Sequence, residues 1–366
     1  IVRVTGGTFT SAGTIRNGQS GSDGGCVFAS SGTVKLYGGA VLSGCEADGV
    51  GGAIHAENTA VVQMPSTYGR VTFRENHADS DGGAVSLSGS RVELAGTLVD
   101  FVDNESLGNG GGLFAGASQI QLEDAHFEDN TANGLGGAAH LVMGAELDLT
   151  GNAEGCDDTD TTDLEVCTLI SGNDASEGDG LSFDNAAGTI SRVVFDGNAG
   201  HGMLLANASD FTFEQLLVIN HTDPSRPALS VDETSGAELY TSTFADNDVA
   251  GQYLGGAPRM VVGNLIADNT TSGISGQLEG WDNLIQAGMA FPVNPGPGNA
   301  HPNGPNPFAA GSPFAGGSGF SAYATAIGVP DTTDITPYPT AMPPWSDLIG
   351  AQRPGVGVIW TRGAIQ

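Results

Sequence analysis

The chain has few cations and no long apolar run. Of its 366 residues, 42 are Asp or Glu and 11 are Lys or Arg, which gives a net charge of −31, and Lys35 is the single lysine. This excess of negative charge repels nucleic acids and anionic lipid surfaces, so we expect neither as a partner. No stretch approaches the roughly 18 uninterrupted apolar residues that a membrane-spanning helix needs, so no membrane span is expected.

Cysteine is scarce as well. The four residues Cys26, Cys45, Cys156 and Cys167 allow three disulfide pairings. Cys156 and Cys167 bracket a short acidic loop, and we predict a disulfide that closes it. Whether Cys26 pairs with Cys45 stays open. Disulfides are typical of secreted and cell-surface proteins, so an extracellular location is expected.

The sequence shows no 3.6-residue helical period of useful length. It contains an internal repeat instead. Glycine accounts for 58 residues, and many of these glycines recur in a Gly-Gly-apolar tripeptide. Internal repeats with a period of 20 to 50 residues are typical of solenoids. The copies are Gly24-Gly25-Cys26, Gly51-Gly52-Ala53, Gly82-Gly83-Ala84, Gly111-Gly112-Leu113 and Gly136-Gly137-Ala138, with looser copies at Gly178-Asp179-Gly180 and Gly200-His201-Gly202.

A second motif keeps the same period: an apolar residue, most often Phe, stands three positions before an Asn. The spacing between successive Asn residues is longer from Asn130 to Asn173 than in the neighbouring repeats. An insertion at about 151–168, which contains the acidic loop, explains the difference. We expect Asn in the turns, because Asn tolerates the left-handed region and bonds its own backbone. The predicted turn ladder consists of Asn76, Asn104, Asn130, Asn173, Asn198, Asn247 and Asn269.

The repeat predicts an all-β fold. Short alternating runs such as 60–64 and 119–122 read as strands of three to five residues, and Gly supplies the positive φ of sharp corners. We therefore predict a right-handed parallel β-helix, a pectate-lyase-like solenoid of about eleven rungs over residues 1–290. Its rungs would stack at about 4.8 Å.

The C-terminal segment, residues 291–366, has a different composition. It holds 13 of the 17 prolines, and proline is disfavoured in central strands. Its spaced aromatic residues predict an irregular segment that caps the end of the rod or wraps along its side, with a mobile linker as the alternative. The aromatic residues are Phe291, Phe308, Phe314, Phe320, Tyr323, Tyr338 and Trp345.

Two resemblances to bacterial families follow from these motifs. The pairing of Gly52-Ala53-Ile54 with Phe73-Arg74-Glu75-Asn76 resembles the repeat of the polymorphic outer-membrane proteins. The C-terminal part is similar to choice-of-anchor Q β-helix proteins. Both resemblances imply a bacterial cell-surface β-helix and leave its activity open. The segments that carry the second resemblance are Asn283-Leu284-Ile285, Ser312-Pro313-Phe314-Ala315-Gly316, Gly350-Ala351-Gln352-Arg353-Pro354 and Gly363-Ala364-Ile365.

The acidic loop is a candidate calcium site. Asp157, Asp158, Asp160 and Asp163 lie close together, and calcium takes six to eight oxygen ligands. The sequence lacks the EF-hand pattern, and a solvated acidic loop is the alternative. Calcium is the only cofactor that the sequence suggests.

The turns between each Asn and the next Gly pair are also acidic. We expect their carboxylates to stack along one edge of the rod, where repulsion would oppose edge-to-edge association or would be relieved by divalent cations. These residues are Asp48, Asp79, Asp81, Glu105, Asp174, Glu177 and Asp179.

Catalytic motifs are weak. A polysaccharide lyase of this fold would use a Lys or Arg base, and Lys35 stands alone. Gly200-His201-Gly202 resembles a polygalacturonase motif with carboxylates about one rung away, as a hydrolase would need. An ordinary corner of the solenoid explains the same string. The neighbours within about one rung are Asp179, Asp196, His221 and Asp223.

These observations favour a secreted or cell-surface, non-catalytic β-helix that acts in adhesion, in an extracellular matrix or in the assembly of a surface complex. Its partners would be other surface proteins or glycans, and the chain could be a subunit of a larger assembly. The alternative is a carbohydrate-active enzyme, a hydrolase or a lyase, or a glycan-binding module. Residues that converge in a groove would favour the alternative.

Overall fold

The computed structural model describes residues 1–65, 69–89, 92–151, 168–240, 242–245 and 247–254, together with 259–262, 264–267, 269, 272–275, 278–281, 284–285 and 294–295. All of the regular elements in these ranges are β-strands. The predicted disulfide between Cys156 and Cys167 and nearly all of the C-terminal segment 291–366 lie outside the described residues. So do the predicted calcium ligands Asp157, Asp158, Asp160 and Asp163.

The strands are short and follow the chain as a repeating series. The first seventeen are β1 (Val2–Ser11), β2 (Thr14–Arg16), β3 (Gln19–Ser20), β4 (Val27–Leu36), β5 (Val41–Ser43), β6 (Glu46–Ala47), β7 (Ile54–Met64), β8 (Val71–Arg74), β9 (His77–Ala78), β10 (Val85–Ser88), β11 (Glu93–Val102), β12 (Glu105–Ser106), β13 (Leu113–Gly116), β14 (Gln119–Glu128), β15 (Thr131–Ala132), β16 (Ala139–Val142) and β17 (Glu146–Thr150). The others are β18 (Thr168–Ser171), β19 (Leu181–Asp184), β20 (Ala187–Ser191), β21 (Val193–Asp196), β22 (Met203–Ala206), β23 (Asp210–Glu214), β24 (Leu217–Ile219), β25 (Leu229–Val231), β26 (Gly236–Tyr240), β27 (Thr243–Ala245), β28 (Val249–Tyr253), β29 (Arg259–Val262), β30 (Leu265–Ala267), β31 (Ser272–Ser275), β32 (Leu278–Trp281), β33 (Leu284–Ile285) and β34 (Asn294–Pro295).

Every pairing between these strands is parallel, and the strands stack in columns. The first column runs through eight strands up to β22 and continues through β25, β28 and β31. The second column includes the start of β11 and of β14, followed by β17, β20, β23 and β26. The third includes the end of β11 and of β14, followed by β18, β21, β24, β27, β30 and β33. The chain is an all-β parallel solenoid, and the predicted fold class is confirmed.

Aromatic and aliphatic side chains fill the interior. Phe73, Phe101 and Phe127 stack with ring centroids 5.1 and 4.6 Å apart. The same inward row continues through Ile170 and Phe195, which are fully buried. The apolar residue of the Phe-x-x-Asn repeat is therefore a core position repeated in each turn.

The Asn residues that follow this row form a buried ladder. The Asn104 Nδ2 group donates to Phe73 O at 3.0 Å and to Asn130 Oδ1 at 2.9 Å. The Asn104 Oδ1 atom accepts from the backbone N of Asn76 at 3.2 Å and from the Asn76 Nδ2 group at 2.9 Å. Each amide thus bonds the turns before and after it. The same side-chain bonds link Asn130 to Asn173, Asn173 to Asn198, and Asn247 to Asn269.

The sequence-based assignment of Asn to the left-handed region is wrong. The positive φ falls on the preceding residue, as at Glu75 (54°), Asp103 (53°) and Asp129 (53°). That turn directs the following Asn into the interior, where water is absent and the amide must bond to protein atoms. The ladder Asn residues are at most 3% exposed.

The predicted Gly motif is displaced by one residue in two turns. Strand pairing aligns Gly111 with Gly83 and Gly137, so the left-handed glycine of that turn is Gly110. In the later turn Asp179, not Gly180, occupies the column of the second glycine. A side chain at Gly83 would collide with the carbonyl oxygen atoms of Gly111 and Glu105, which explains why glycine is required there.

One disulfide is present among the described residues. Cys26 and Cys45 are bonded, with their Cα atoms 5.5 Å apart. Cys45 takes the ladder position of its turn, where its backbone N donates to Asn76 Oδ1 at 3.0 Å. The disulfide therefore ties a corner to the ladder near the N-terminal end of the solenoid.

We predict that Asn130→Ala destabilises the protein strongly. The change leaves the backbone N of Asn104, its Nδ2 group and the carbonyl of Phe101 without their partner. Each buried unsatisfied group costs about 1–3 kcal/mol, so the free energy of unfolding should fall by roughly 3–5 kcal/mol in denaturant titrations. Asn133→Ala, at an exposed position in the same turn, is the control, and an equal loss in both variants would contradict the ladder's importance.

Candidate functional site

A groove of about 530 Å³ crosses the outer surface of β11, β14, β17 and β20 in the second column. Strand alternation places Leu94, Ile120 and Leu147 on the inner side, so the residues beside them face outward. Two outward rows line the groove. The first row consists of Glu93, Gln119, Glu146 and Ala187, and the second consists of Ala95, Gln121, Asp148 and Thr189.

The groove presents carboxylates and amides to solvent. Gln119, Gln121, Glu146 and Asp148 are exposed, and the Gln119 Nε2 group donates to Glu146 Oε2 at 3.4 Å. The described lining residues include no aromatic ring and no cation. Such a surface can exchange hydrogen bonds with hydroxyl groups.

A second polar cluster, the Arg226 cluster, consists of Asp179, His201, Asp223 and Arg226 at the corners before β19, β22 and β25. The Arg226 Nη1 group lies 3.1 and 3.3 Å from the two carboxylate oxygen atoms of Asp179. The Arg226 Nε group donates to Asp223 Oδ2 at 2.7 Å. One guanidinium thus links two carboxylates from different turns.

Asp179 is fully buried, and both of its oxygen atoms are used. The backbone N of Ala175 donates to Oδ1 at 3.2 Å, and the backbone N of His201 donates to Oδ2 at 2.8 Å. Burial raises the pKa of Asp179, while these backbone bonds and Arg226 oppose the shift. The carboxylate holds three turns of the solenoid together and is closed to solvent.

His201 lies beside this carboxylate and is 7% exposed. Burial, with a smaller effect of the Arg226 charge, lowers the pKa of His201 to about 4. A neutral imidazole can accept a hydrogen bond, and the backbone N of Gly178 lies 3.4 Å from His201 Nδ1. The geometry fits a structural histidine of the corner.

The Gly200-His201-Gly202 string has a local physical cause. A side chain at Gly200 would collide with the guanidinium of Arg226. A side chain at Gly202 would meet the imidazole of His221 and the carbonyl of Ala228. The two glycines are therefore needed for Arg226 to reach Asp179 and for the next turn to pack closely.

The sequence grouped three carboxylates and one histidine around this string, and the structure does not bring all four together. Asp179 and Asp223 meet through Arg226, whereas Asp196 lies on the third column and accepts from the Asn220 Nδ2 group at 2.7 Å. His221 follows the left-handed Asn220 and takes the ladder position itself, 3.1 Å from Asn247 Oδ1.

Sequence reasoning missed Arg226. The residue stands between Ser225 and Pro227 and is the one cation between Arg192 and Arg259 in a chain poor in cations. The sequence feature that could have drawn attention to Arg226 is its position near two prolines in a segment without other cations. Asp179 was expected on a solvated acidic edge, and its complete burial corrects that prediction. Of the other predicted edge residues, Asp48, Asp79, Glu105, Asp174 and Glu177 are exposed.

A third cluster lies on the outer face of the third column. The guanidinium of Arg70 pairs with the carboxylate of Asp100, and the Thr72 hydroxyl donates to Asp100 Oδ2 at 3.3 Å. His126 Nδ1 lies 3.5 Å from Asp100 and 3.4 Å from Glu128. The bonds run across three turns, so the cluster stabilises the polar outer surface of this sheet.

Metal binding is not visible in the described part of the chain. There, no group of three or more His, Cys, Asp or Glu side chains could hold an ion. The predicted calcium ligands lie outside the described residues, so calcium stays a prediction.

A protein-family model described as a right handed beta helix region matches residues 179–286. This range begins at Asp179, includes Arg226 and covers less than a third of the chain. No curated protein and no solved structure matches the chain. The part of the chain that the structure describes contains no helix with the length and hydrophobicity of a membrane crossing. The family match agrees with the parallel solenoid and assigns no activity.

We predict that stability falls as the pH is lowered from about 6.5 toward 4. Burial lowers the pKa of His201 and of His221 to about 4, whereas their ordinary value is 6.5. In this window the unfolded chain binds more protons than the native state, so the free energy of unfolding rises with pH, by up to about 1.4 kcal/mol per pH unit for each group.

Denaturant titrations between pH 7 and 5 test this prediction on wild type, His201→Gln and His221→Gln. Each substitution is expected to flatten the pH dependence. Gln119→Ala, which removes no titratable group, should keep the wild-type slope. An unchanged slope in both histidine variants would show that these imidazoles are not held neutral by burial.

Proposed function

We propose that the chain is a secreted or cell-surface, non-catalytic β-helix protein that acts in adhesion by binding a glycan in its acidic groove. The observation that carries this proposal is the groove itself, with its two rows of outward amides and carboxylates. The described surface repeats at the rung spacing of about 4.8 Å, so the groove offers periodic contacts to a periodic polymer.

The charge of the groove favours a neutral polysaccharide. Amide and carboxylate groups bond sugar hydroxyl groups well, whereas Glu93, Glu146 and Asp148 repel a uronic-acid chain. A calcium ion shared between these carboxylates and the polymer would remove that repulsion. We therefore propose neutral glycans as the first class of ligand and calcium-bridged acidic glycans as the second.

An extracellular location fits the disulfide and the charge. The Cys26–Cys45 bond is of a kind that persists in oxidising compartments. A net charge of −31 keeps such a protein soluble and away from polyanions. The resemblance to polymorphic outer-membrane and choice-of-anchor Q proteins supports display on a bacterial surface, in a matrix or in an assembly with other surface proteins.

A carbohydrate-active enzyme is the second candidate, and the Arg226 cluster is the observation that favours it. Asp179, His201 and Asp223 converge there, as a hydrolase of this fold would need. Against it, Asp179 is closed to solvent and Asp223 is held by Arg226 and Ser225. The hydrogen bonds from Ser225 and Arg226 lower the pKa of Asp223, which is unfavourable for a general acid.

We predict that Gln119→Ala combined with Gln121→Ala weakens glycan binding. Each lost neutral hydrogen bond contributes about 0.5–1.5 kcal/mol, so the double variant should bind roughly tenfold more weakly. Affinity electrophoresis and calorimetry against neutral glucans, mannans and xylans, and against polygalacturonate with calcium or with a chelator, measure the effect.

The control is Gln63→Ala. Gln63 is exposed in the same outward row as Gln121 but two turns away and outside the groove. Its affinity should equal that of the wild type. Equal binding by all three proteins would overturn the groove proposal. Release of reducing ends that Asp223→Asn abolishes, in a variant that keeps the wild-type stability, would establish the enzyme in place of the adhesin.

A further inference from the structure

Asn-Gly dipeptides occur at several corners of the solenoid. In such a pair the backbone N of the glycine can attack the preceding side-chain amide, because glycine has no Cβ that blocks the approach. The attack requires a glycine N–H that no acceptor holds and a backbone that can open locally. The pairs among the described residues are Asn17-Gly18, Asn109-Gly110 and Asn133-Gly134, and a fourth pair, Asn303-Gly304, lies outside them.

In two of the three described pairs, the glycine N–H donates a hydrogen bond to the backbone of a neighbouring turn. Gly110 N donates to Leu135 O at 2.8 Å. Gly134 N donates to Gly108 O at 2.7 Å. The Asn133 side chain is nevertheless exposed to solvent. That pair therefore combines an accessible amide with a glycine nitrogen that is held.

The remaining pair stands at the start of the Asn ladder. The register of β3, β6 and β9 places Gly18, Cys45 and Asn76 at one position of three successive turns. The backbone N of Cys45 donates to Asn76 Oδ1 at 3.0 Å. Gly18 has no corresponding acceptor, because residue 45 is a cysteine whose sulfur is bonded to Cys26. Among the described residues, the Gly18 N–H therefore finds no hydrogen-bond partner.

The turn that contains Asn17 is paired on one side. Asn17 is exposed, and its φ of 53° lies in the left-handed region. The flanking strands β2 and β3 pair only with β5 and β6 among the described strands. In contrast, β15, which precedes Asn133, is bonded on both sides. A turn with one neighbour opens locally at a lower cost in free energy than a turn with two.

We propose that Asn17 is a site of spontaneous deamidation. Hydroxide removes the proton of the Gly18 N atom, which then attacks Asn17 Cγ. The bond from Cγ to Nδ2 breaks, water protonates the departing group, and ammonia leaves a succinimide ring. A second water molecule opens the ring at either carbonyl and gives aspartate or isoaspartate, with no oxidation or reduction. Either product places a new carboxylate next to Arg16 in the first turn.

Peptide mapping of the full chain tests the proposal. The protein is incubated at mildly alkaline pH, and mass spectrometry then follows the exchange of ammonia for water at each Asn-Gly pair. Trypsin cuts after Arg16 and Lys35, so no other Asn-Gly pair shares the peptide of Asn17. We expect Asn17 to react roughly tenfold faster than Asn133, which corresponds to about 1.4 kcal/mol, the order of one backbone hydrogen bond. Asn133 is the control within the same sample.

Two cysteine variants test the cause of the reactivity. Cys26→Ala combined with Cys45→Asn extends the ladder by one amide, so the Gly18 N–H gains an acceptor. Cys26→Ala combined with Cys45→Ala removes the same disulfide and supplies no acceptor. We expect Asn17 to deamidate more slowly in the first variant than in the second.

Three results would overturn the proposal. Equal rates at Asn17 and Asn133 in the wild type would show that exposure alone governs the reaction. A preference for Asn17 that persists in denaturant would show that the local sequence, and not the fold, causes it. Equal rates at Asn17 in the two cysteine variants would show that the missing acceptor plays no part.

Discussion

A buried carboxamide needs four hydrogen bonds, and this requirement determines the architecture. The Asn104 amide makes two of its bonds to the Asn76 side of the ladder and donates one each to Phe73 O and Asn130 Oδ1. No single turn could satisfy it. Because an unsatisfied amide in the interior is costly, each turn is stable only in register with its neighbours.

The ladder divides the molecule into a constrained interior and a freer exterior. Inside, the Phe row and the ladder repeat at fixed positions, and close corners admit only glycine at sites such as Gly83. Outside, side chains can vary without disturbing the stack. At the groove and at the Arg226 cluster, the outer surface or a corner departs from the repeat, and the proposals about function rest on these two places.

The repeat itself could be predicted from the sequence, because Phe-x-x-Asn marks positions that strand pairing keeps in register. The exact alignment could not, because three consecutive glycines at 110–112 leave the motif ambiguous by one residue, and Asp179 replaces a glycine in the same column. Arg226 was hidden for a different reason. Its buried partner Asp179 comes from another turn, and no local pattern indicates that contact.

The outward aliphatic residues of β24 could not be recognised from the sequence either. In a strand of three residues such as β24, Leu217-Val218-Ile219, all residues are aliphatic, so alternation cannot distinguish the inner face from the outer face. Only the register with Phe195 and Phe244 shows that Val218 faces the core. Outward leucines thus look like ordinary core residues until the neighbouring turns are known.

Native-state hydrogen exchange tests the central role of the ladder most directly. The backbone amides of Asn76, Asn104 and Asn130 each donate to the side chain of the next ladder Asn. The account predicts that these amides are among the slowest to exchange. It also predicts that Asn130→Ser speeds exchange in the turns on both sides, at residues 104 and 173. Fast exchange of the ladder amides in the wild type, or an effect confined to the mutated turn, would contradict it.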